Sequence, residues 1–303
     1  MLEGIITSLI TPYKPNQINE IDTGMLSRLV VRQLDAQING LLLFSLTGEG
    51  ILLSDTEKAD ILQTVKKEVD LYKKDISIIA DCTDSSTFKV IESAKLAYGN
   101  GATAVLVSPP FGIICSKRAV FDHLITVANS VSLPVIICND PARTGIDIST
   151  EDLVRLGEHE NIISICEAGN NAEHILLASA RLKEKVKLLA LTDTSALTMM
   201  SAGSNGIISI ASNSIPEMFV NMFNIYKSST LEDVLPIQYK LLGLAETLLM
   251  EPGPGSIKAV LNLMGLSESL VRQPFAWPLR PVLYKLAAEM DKLGIKITSG
   301  DLS

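Results

Sequence analysis

Short runs of consecutive apolar, often β-branched residues recur through the first two thirds of the chain. They are Gly4–Ile10 (GIITSLI), Gly40–Phe44, Ile76–Asp81, Ala104–Ser108, Pro134–Asn139, Ile162–Glu167, Lys187–Leu191 and Gly206–Ile210. Unbroken apolar runs of this length suit strands buried on both faces, as in a parallel sheet. The segments between them follow a helical period. In Thr56–Tyr72 (TEKADILQTVKKEVDLY), Ile61, Val65 and Val69 stand four apart with charges on the opposite face. Thr87–Tyr98, Lys117–Val131 and Asn171–Leu182 share that pattern. Ser54 or Asp55 ahead of Glu57, and Ser149 ahead of Asp152, supply helix caps, while Gly99 and Gly101 suit a helix end.

Eight strand–helix units predict an α/β fold closed into a (β/α)8 TIM barrel. An open, doubly wound sheet is the rival, but it ordinarily carries a glycine-rich turn after its first strand. Here the first strand runs into Thr11-Pro12-Tyr13-Lys14. Beyond Ile210, the segments Pro216–Lys227, Leu231–Met250, Ser256–Met264 and Pro278–Leu293 read as helices. They are expected to give the last barrel helix and a C-terminal helical appendage. The expected organisation is a barrel over 1–225 and a helical region over 226–303 packed on it, because no Gly/Ser/Pro-rich linker intervenes.

Composition narrows the partners. The 303 residues are 47% hydrophobic and carry a net charge of −8. An acidic surface argues against nucleic acid or anionic membrane as the main partner, but not against a small anion held by one local arginine. No apolar run reaches membrane-spanning length, and the N-terminal stretch lacks a basic n-region, so a cytoplasmic protein is expected. Cys82, Cys115, Cys138 and Cys166 form no CxxC pair and read as reduced thiols. His123, His159 and His174 show no metal-ligand spacing, and no phosphate-binding loop is present. Neither metal nor cofactor is expected.

In a barrel, chemistry gathers at the C-terminal strand ends. That rule selects Ser45–Glu49, Asp81, Ser108–Phe111, Cys138–Gly145, Cys166–Ala168, Thr192–Asp193 and Ser209–Ser212. Thr47, in a turn beside Gly48, offers a hydroxyl to a carboxylate, or merely stabilises its turn. Arg143 offers two parallel hydrogen bonds to a carboxylate, or a rim salt bridge. Glu49 is a candidate base, although a residue so placed more often caps a loop or pairs with a cation. Cys138 and Cys166 end adjacent strands, which lie about 4.8 Å apart. They are either small hydrophobes packed inside the barrel or a thiolate nucleophile beside Arg143 or a redox pair.

These residues resemble the dihydrodipicolinate synthase/N-acetylneuraminate lyase superfamily. Thr47-Gly48-Glu49 is similar to the end of its GTTGE motif, Asn139–Gly145 (NDPARTG) to its YNVPSRTG segment, and Glu167-Ala168 to its KEA motif. Ile10-Thr11-Pro12, Thr192–Leu197 (TDTSAL), Gly206–Ser209 (GIIS) and Glu251–Pro254 with Lys258 match in the same order. The resemblance implies a lyase barrel, a homotetramer or homodimer, acting on pyruvate or another 2-oxo acid through an imine on a sixth-strand lysine. It also implies a proton-shuttling tyrosine on the fifth strand. At those two positions stand Cys166 and Cys138; Leu46 replaces the first threonine of the motif, and Phe111 falls near a tyrosine lent by a neighbouring subunit. Thr47, Gly48, Glu49, Arg143 and Thr144 are retained, and Leu191 (where synthases keep a glycine) and Ile208 join them as expected substrate contacts. The expectation is therefore a divergent member lacking the Schiff-base lysine. It binds a small 2-oxo or related carboxylic acid, with Cys166 and Cys138 as catalytic groups in non-standard lyase or aldolase chemistry. A catalytically inactive binding or regulatory homologue is the alternative.

Overall fold

The computed structural model describes residues 2–73, 75–168, 171–268 and 270–298. Strand β1 (Gly4–Ser8) leads into a hairpin of β2 (Tyr13–Lys14) and β3 (Gln17–Ile21), then helix α1 (Thr23–Asp35). Further strand–helix units follow: β4 (Gly40–Leu43) with α2 (Asp55–Tyr72), β5 (Ser77–Asp81) with α3 (Thr87–Gly99), and β6 (Ala104–Val107) with α4 (Lys117–Ser130). Next come β7 (Val135–Asn139) with α5 (Pro141–Thr144) and α6 (Thr150–Leu156), and β8 (Ile162–Ala168) with α7 (Ala172–Arg181). The barrel is completed by β9 (Lys187–Leu191) with α8 (Ala196–Ser201) and β10 (Gly206–Ser209) with α9 (Pro216–Ser228). Helices α10 (Leu231–Leu248), α11 (Gly255–Leu263) and α12 (Arg280–Lys292) form the C-terminal region.

The eight main strands are parallel and close into a barrel in the order β1-β10-β9-β8-β7-β6-β5-β4, with β1 bonded to both β10 and β4. All eight expected strands are present; β1 stops at Ser8 rather than Ile10. The seam between β1 and β10 depends on small residues. Gly4 pairs with Gly206, and a Cβ on Gly206 would run into the Gly4 backbone. Gly4 itself adopts a φ of 92°, with the Asn39 side chain filling the space a Cβ would need.

Strand alternation divides the apolar residues between two cores. Ile6, Leu42, Ile79, Leu106, Ile136, Cys138, Cys166, Leu189 and Ile208 fill the barrel interior. Their sequence neighbours Ile5, Leu41, Leu43, Ile78, Val105, Val107, Ile137 and Ile165 face outwards, onto the helix layer. Helix α2 shows how that layer is attached. Ser54 and Glu57 form a reciprocal capping box, and Ile61, Leu62, Val65 and Val69 are buried. Such burial stabilises by roughly 1.5–3 kcal/mol per large side chain. No helix among the described residues is long and apolar enough to cross a membrane.

Candidate active site at the barrel mouth

A cavity of about 530 Å³ opens where the barrel strands end. Its floor is apolar, built by Leu42, Leu106, Cys138, Leu191 and Ile208. Its polar wall carries Thr47, Asp81, Asp140, Arg143 and Asp193, together with Ser8 and Ser45, whose hydroxyls lie 2.7 Å apart. Leu248 of α10, with Leu249 and Pro252 just beyond it, forms one side, so the C-terminal region helps shape the site. No lysine is among the described residues that line it.

The turn after β4 presents Thr47. It is tightly wound: Phe44 (φ 65°) and Glu49 (φ 55°) both sit in the left-handed region, which costs a side-chain-bearing residue about 1–2 kcal/mol. Gly50 passes so close to the Phe44 carbonyl that a Cβ there would collide with it. Three contacts offset the strain. The Thr11 hydroxyl donates to the Gly48 carbonyl at 2.7 Å, Lys258 Nζ pairs with Glu49 Oε1, and the Arg272 backbone N–H donates to Glu49 Oε2 at 2.8 Å.

Glu49 is fully buried and lies off the cavity wall. Its role as a substrate contact is not borne by the geometry; it is paired with a cation and anchors the turn that carries Thr47. Gly48 is likewise behind the wall, its carbonyl spent on Thr11. Lys258, also fully buried, donates to the Leu270 carbonyl at 3.0 Å and lies over the Tyr13 ring at 4.1 Å, away from the cavity. Burial pulls its ammonium down to about 8, against the pull of Glu49.

Arg143 comes from α5, a single helical turn that Asp140 opens and Gly145 (φ 73°) closes. Thr144 does not reach the cavity. Its hydroxyl bonds the Asp140 carbonyl at 2.9 Å and the Ile146 amide at 3.2 Å, and so fixes the turn. The Arg143 guanidinium meets buried Asp81 at 3.2 Å, and this pairing, more than any other influence, holds it firmly charged. Burial raises the Asp140 carboxyl above the ordinary range, against Arg143, which lowers it.

Cys138 and Cys166 are paired positions of neighbouring strands, both inside the barrel. Only Cys138 lines the cavity; Cys166 lies fully buried beside it. A hydrogen bond with Cys138, and then burial, push the Cys166 thiol well above its ordinary value, so it is poorly placed as a thiolate nucleophile. Leu191 and Ile208 line the cavity as expected.

Asp193 is a cavity residue that the sequence placed at a strand end without singling it out. Its Oδ2 accepts the Ile210 and Ala211 amides at 3.0 and 2.9 Å, which binds the end of β9 to that of β10. Its Oδ1 is buried without a hydrogen-bond partner. Burial raises its carboxyl, against the Ser209 hydroxyl and those two amides.

His174 is a histidine for which spacing along the chain offered no metal partner. It reaches from α7 to Glu167 (Nδ1 to Oε1, 3.2 Å), near Asp147, giving three groups close enough to hold a metal ion. They come from three separate elements, which is why spacing along the chain conceals them. Asn139 donates to both carboxylates, at 2.8 Å to Glu167 and 2.9 Å to Asp147, and this network already ties β7 to β8.

Residues 1–290 match the profile described as the dihydrodipicolinate synthetase family. The chain is 31% identical over 290 residues to a 4-hydroxy-tetrahydrodipicolinate synthase of Geobacter sp. (strain M21), covering 96% of this chain and 98% of that one. Among solved structures, dihydrodipicolinate synthase from Aquifex aeolicus superposes with a TM-score of 0.93 at 27% identity, covering 98% of this chain and 100% of that one. The chloride-inhibited dihydrodipicolinate synthase of Acinetobacter baumannii, complexed with pyruvate, gives 0.92 at 26%, covering 97% and 100%.

Proposed function

The chain belongs to the dihydrodipicolinate synthetase family, and from that premise we propose that its barrel-mouth cavity binds a small 2-oxo or related carboxylic acid and acts on it without forming an imine. The observation that carries this reading is the make-up of the cavity wall: a guanidinium and a threonine hydroxyl, but no lysine among its described residues. An imine requires an amine within reach of the ketone. Without one, enolate charge at the keto acid has to be held by hydrogen-bond donors. Arg143 and Thr47 supply donors, and the cavity also holds the carboxyls of Asp140 and Asp193, which burial raises above their ordinary value. Cys138 adds a thiol to the floor. Pyruvate, the ligand of the Acinetobacter baumannii relative, is the first compound to try.

Titration calorimetry with pyruvate and with 4-methyl-2-oxopentanoate tests the binding half. A charge-assisted hydrogen bond contributes roughly 1.5–3 kcal/mol, so Arg143→Ala is expected to weaken binding about ten- to hundredfold. Arg143→Lys should retain only part of the affinity, since it keeps the charge but loses the planar fork. Undiminished binding by Arg143→Ala would refute the assignment. The catalytic half is tested by exchange of the keto acid's C3 protons in deuterated water, followed by NMR. Exchange above the buffer rate supports turnover; binding without exchange favours the alternative, a barrel that kept its ligand site and lost its reaction.

A further inference from the structure

We propose that Cys138 and Cys166 form an oxidisable dithiol, in which a hydroperoxide entering through the barrel-mouth cavity oxidises Cys138 and Cys166 then closes a disulfide between β7 and β8. This goes beyond the ligand site and needs no substrate of the barrel.

Placement carries the inference. The two residues are directly opposed in the parallel register, and adjacent strands lie about 4.8 Å apart, inside the roughly 4.4–6.8 Å Cα window of disulfides. Both side chains point into the barrel interior and pack in the same inner core. The next residues along, Asn139 and Glu167, are joined by a 2.8 Å hydrogen bond on the outer face, which holds the two strand ends together behind the sulfurs.

Access is unequal, and that inequality assigns the roles. Cys138 forms part of the floor of the cavity that Arg143 also lines, so a hydroperoxide in the cavity can reach its sulfur and the guanidinium can receive the hydroxide that departs. Cys166 has no exposed surface and contacts Cys138. It is placed to resolve the oxidised Cys138 sulfur, not to meet the peroxide. The remaining thiols stand apart: Cys82 packs in the outer core, where burial raises its thiol, and Cys115 is half-buried in the β6–α4 connection.

The chemistry balances. The Cys138 thiolate sulfur attacks a peroxide oxygen; the S–O bond forms, the O–O bond breaks, and hydroxide leaves to be protonated to water. The sulfur is oxidised to a sulfenic acid and the peroxide is reduced. Cys166 then gives up its proton and attacks the Cys138 sulfur. The S–S bond forms, the S–O bond breaks, and the departing hydroxyl takes a proton to become a second water. Two thiol hydrogens are lost for each hydrogen peroxide consumed.

The test exposes the reduced full chain to hydrogen peroxide, quenches with N-ethylmaleimide, and reads intact mass and disulfide-linked peptides. The expected result is loss of two hydrogens, a Cys138–Cys166 linked peptide, and full reversal by dithiothreitol. In Cys166→Ser, dimedone should label Cys138; in Cys138→Ser, Cys166 should oxidise at least tenfold more slowly than the wild-type pair. The wild-type measurement stands without either variant. Oxidation confined to Cys115, over-oxidation of Cys138 with Cys166 still reduced, or dimedone labelling of Cys166 would each overturn the proposal. Because no keto acid is present, the outcome is independent of whether the cavity binds one.

Discussion

Glu49 and Lys258 form an ion pair from which both side chains are wholly removed from water. Removing one partner of such a pair leaves an uncompensated charge and typically costs about 3–5 kcal/mol, while replacing both with apolar residues is often neutral. Lys258→Met is therefore expected to lower stability by about 3–5 kcal/mol in urea unfolding, and Glu49→Leu/Lys258→Met to recover much of the loss. If the single variant is as stable as the parent, Glu49 is not the anchor of the Thr47 turn. The same pair shows where residue-level reading reaches its limit. The motif carrying Thr47, Gly48 and Glu49 was legible as a block, yet the backbone turns between them, so Thr47 faces the cavity while Gly48 and Glu49 face the protein. Which way each residue points depends on left-handed φ angles at Phe44 and Glu49, which a sequence of non-glycine residues conceals. Asp193 escaped notice for a related reason: many strand ends carry an acid, and only the structure shows one carboxyl oxygen buried without a partner.

At the level of elements, the strands were the most legible part, because unbroken apolar runs between helical periods have few other readings. Elements with weak patterns were not foreseen. The β2–β3 hairpin is mostly exposed and polar, α8 spans only Ala196–Ser201, and α1 places buried Gln33 within its apolar stripe. Gln33 is there because its amide spans the seam, taking the Thr7 hydroxyl at 2.7 Å and donating to the Ser212 carbonyl at 2.9 Å. That seam is also where the strands tolerate least. Gly206→Ala places a methyl against the Gly4 backbone, and overpacking of this kind costs about 1–3 kcal/mol or more. A drop of about 3 kcal/mol in urea unfolding is expected. Gly99→Ala, at a position where a Cβ meets nothing within 4 Å, should change stability by less than about 0.5 kcal/mol. Equal effects of the two would contradict the close approach at the seam.

The molecule as a whole presents large apolar side chains that a lone barrel leaves in water. Ile114 is fully exposed, and Ile113 and Leu46 are about half exposed, at 48% and 40%. Large apolar side chains exposed in this way suit an interaction site, in line with the homotetramer or homodimer that the family resemblance implies. Sedimentation velocity is expected to show a dimer or tetramer, and Ile114→Asp to shift it towards monomer; a monomer at all concentrations would contradict self-association. The barrel, its closure and its mouth were thus readable from sequence, while the chemistry at the mouth rests on which side chains the closed barrel turns inwards. The most direct test of that chemistry is borohydride trapping with pyruvate, read by intact mass. The account predicts no adduct under conditions where titration shows the keto acid bound. A stable pyruvyl adduct on any lysine, Lys258 included, would contradict it.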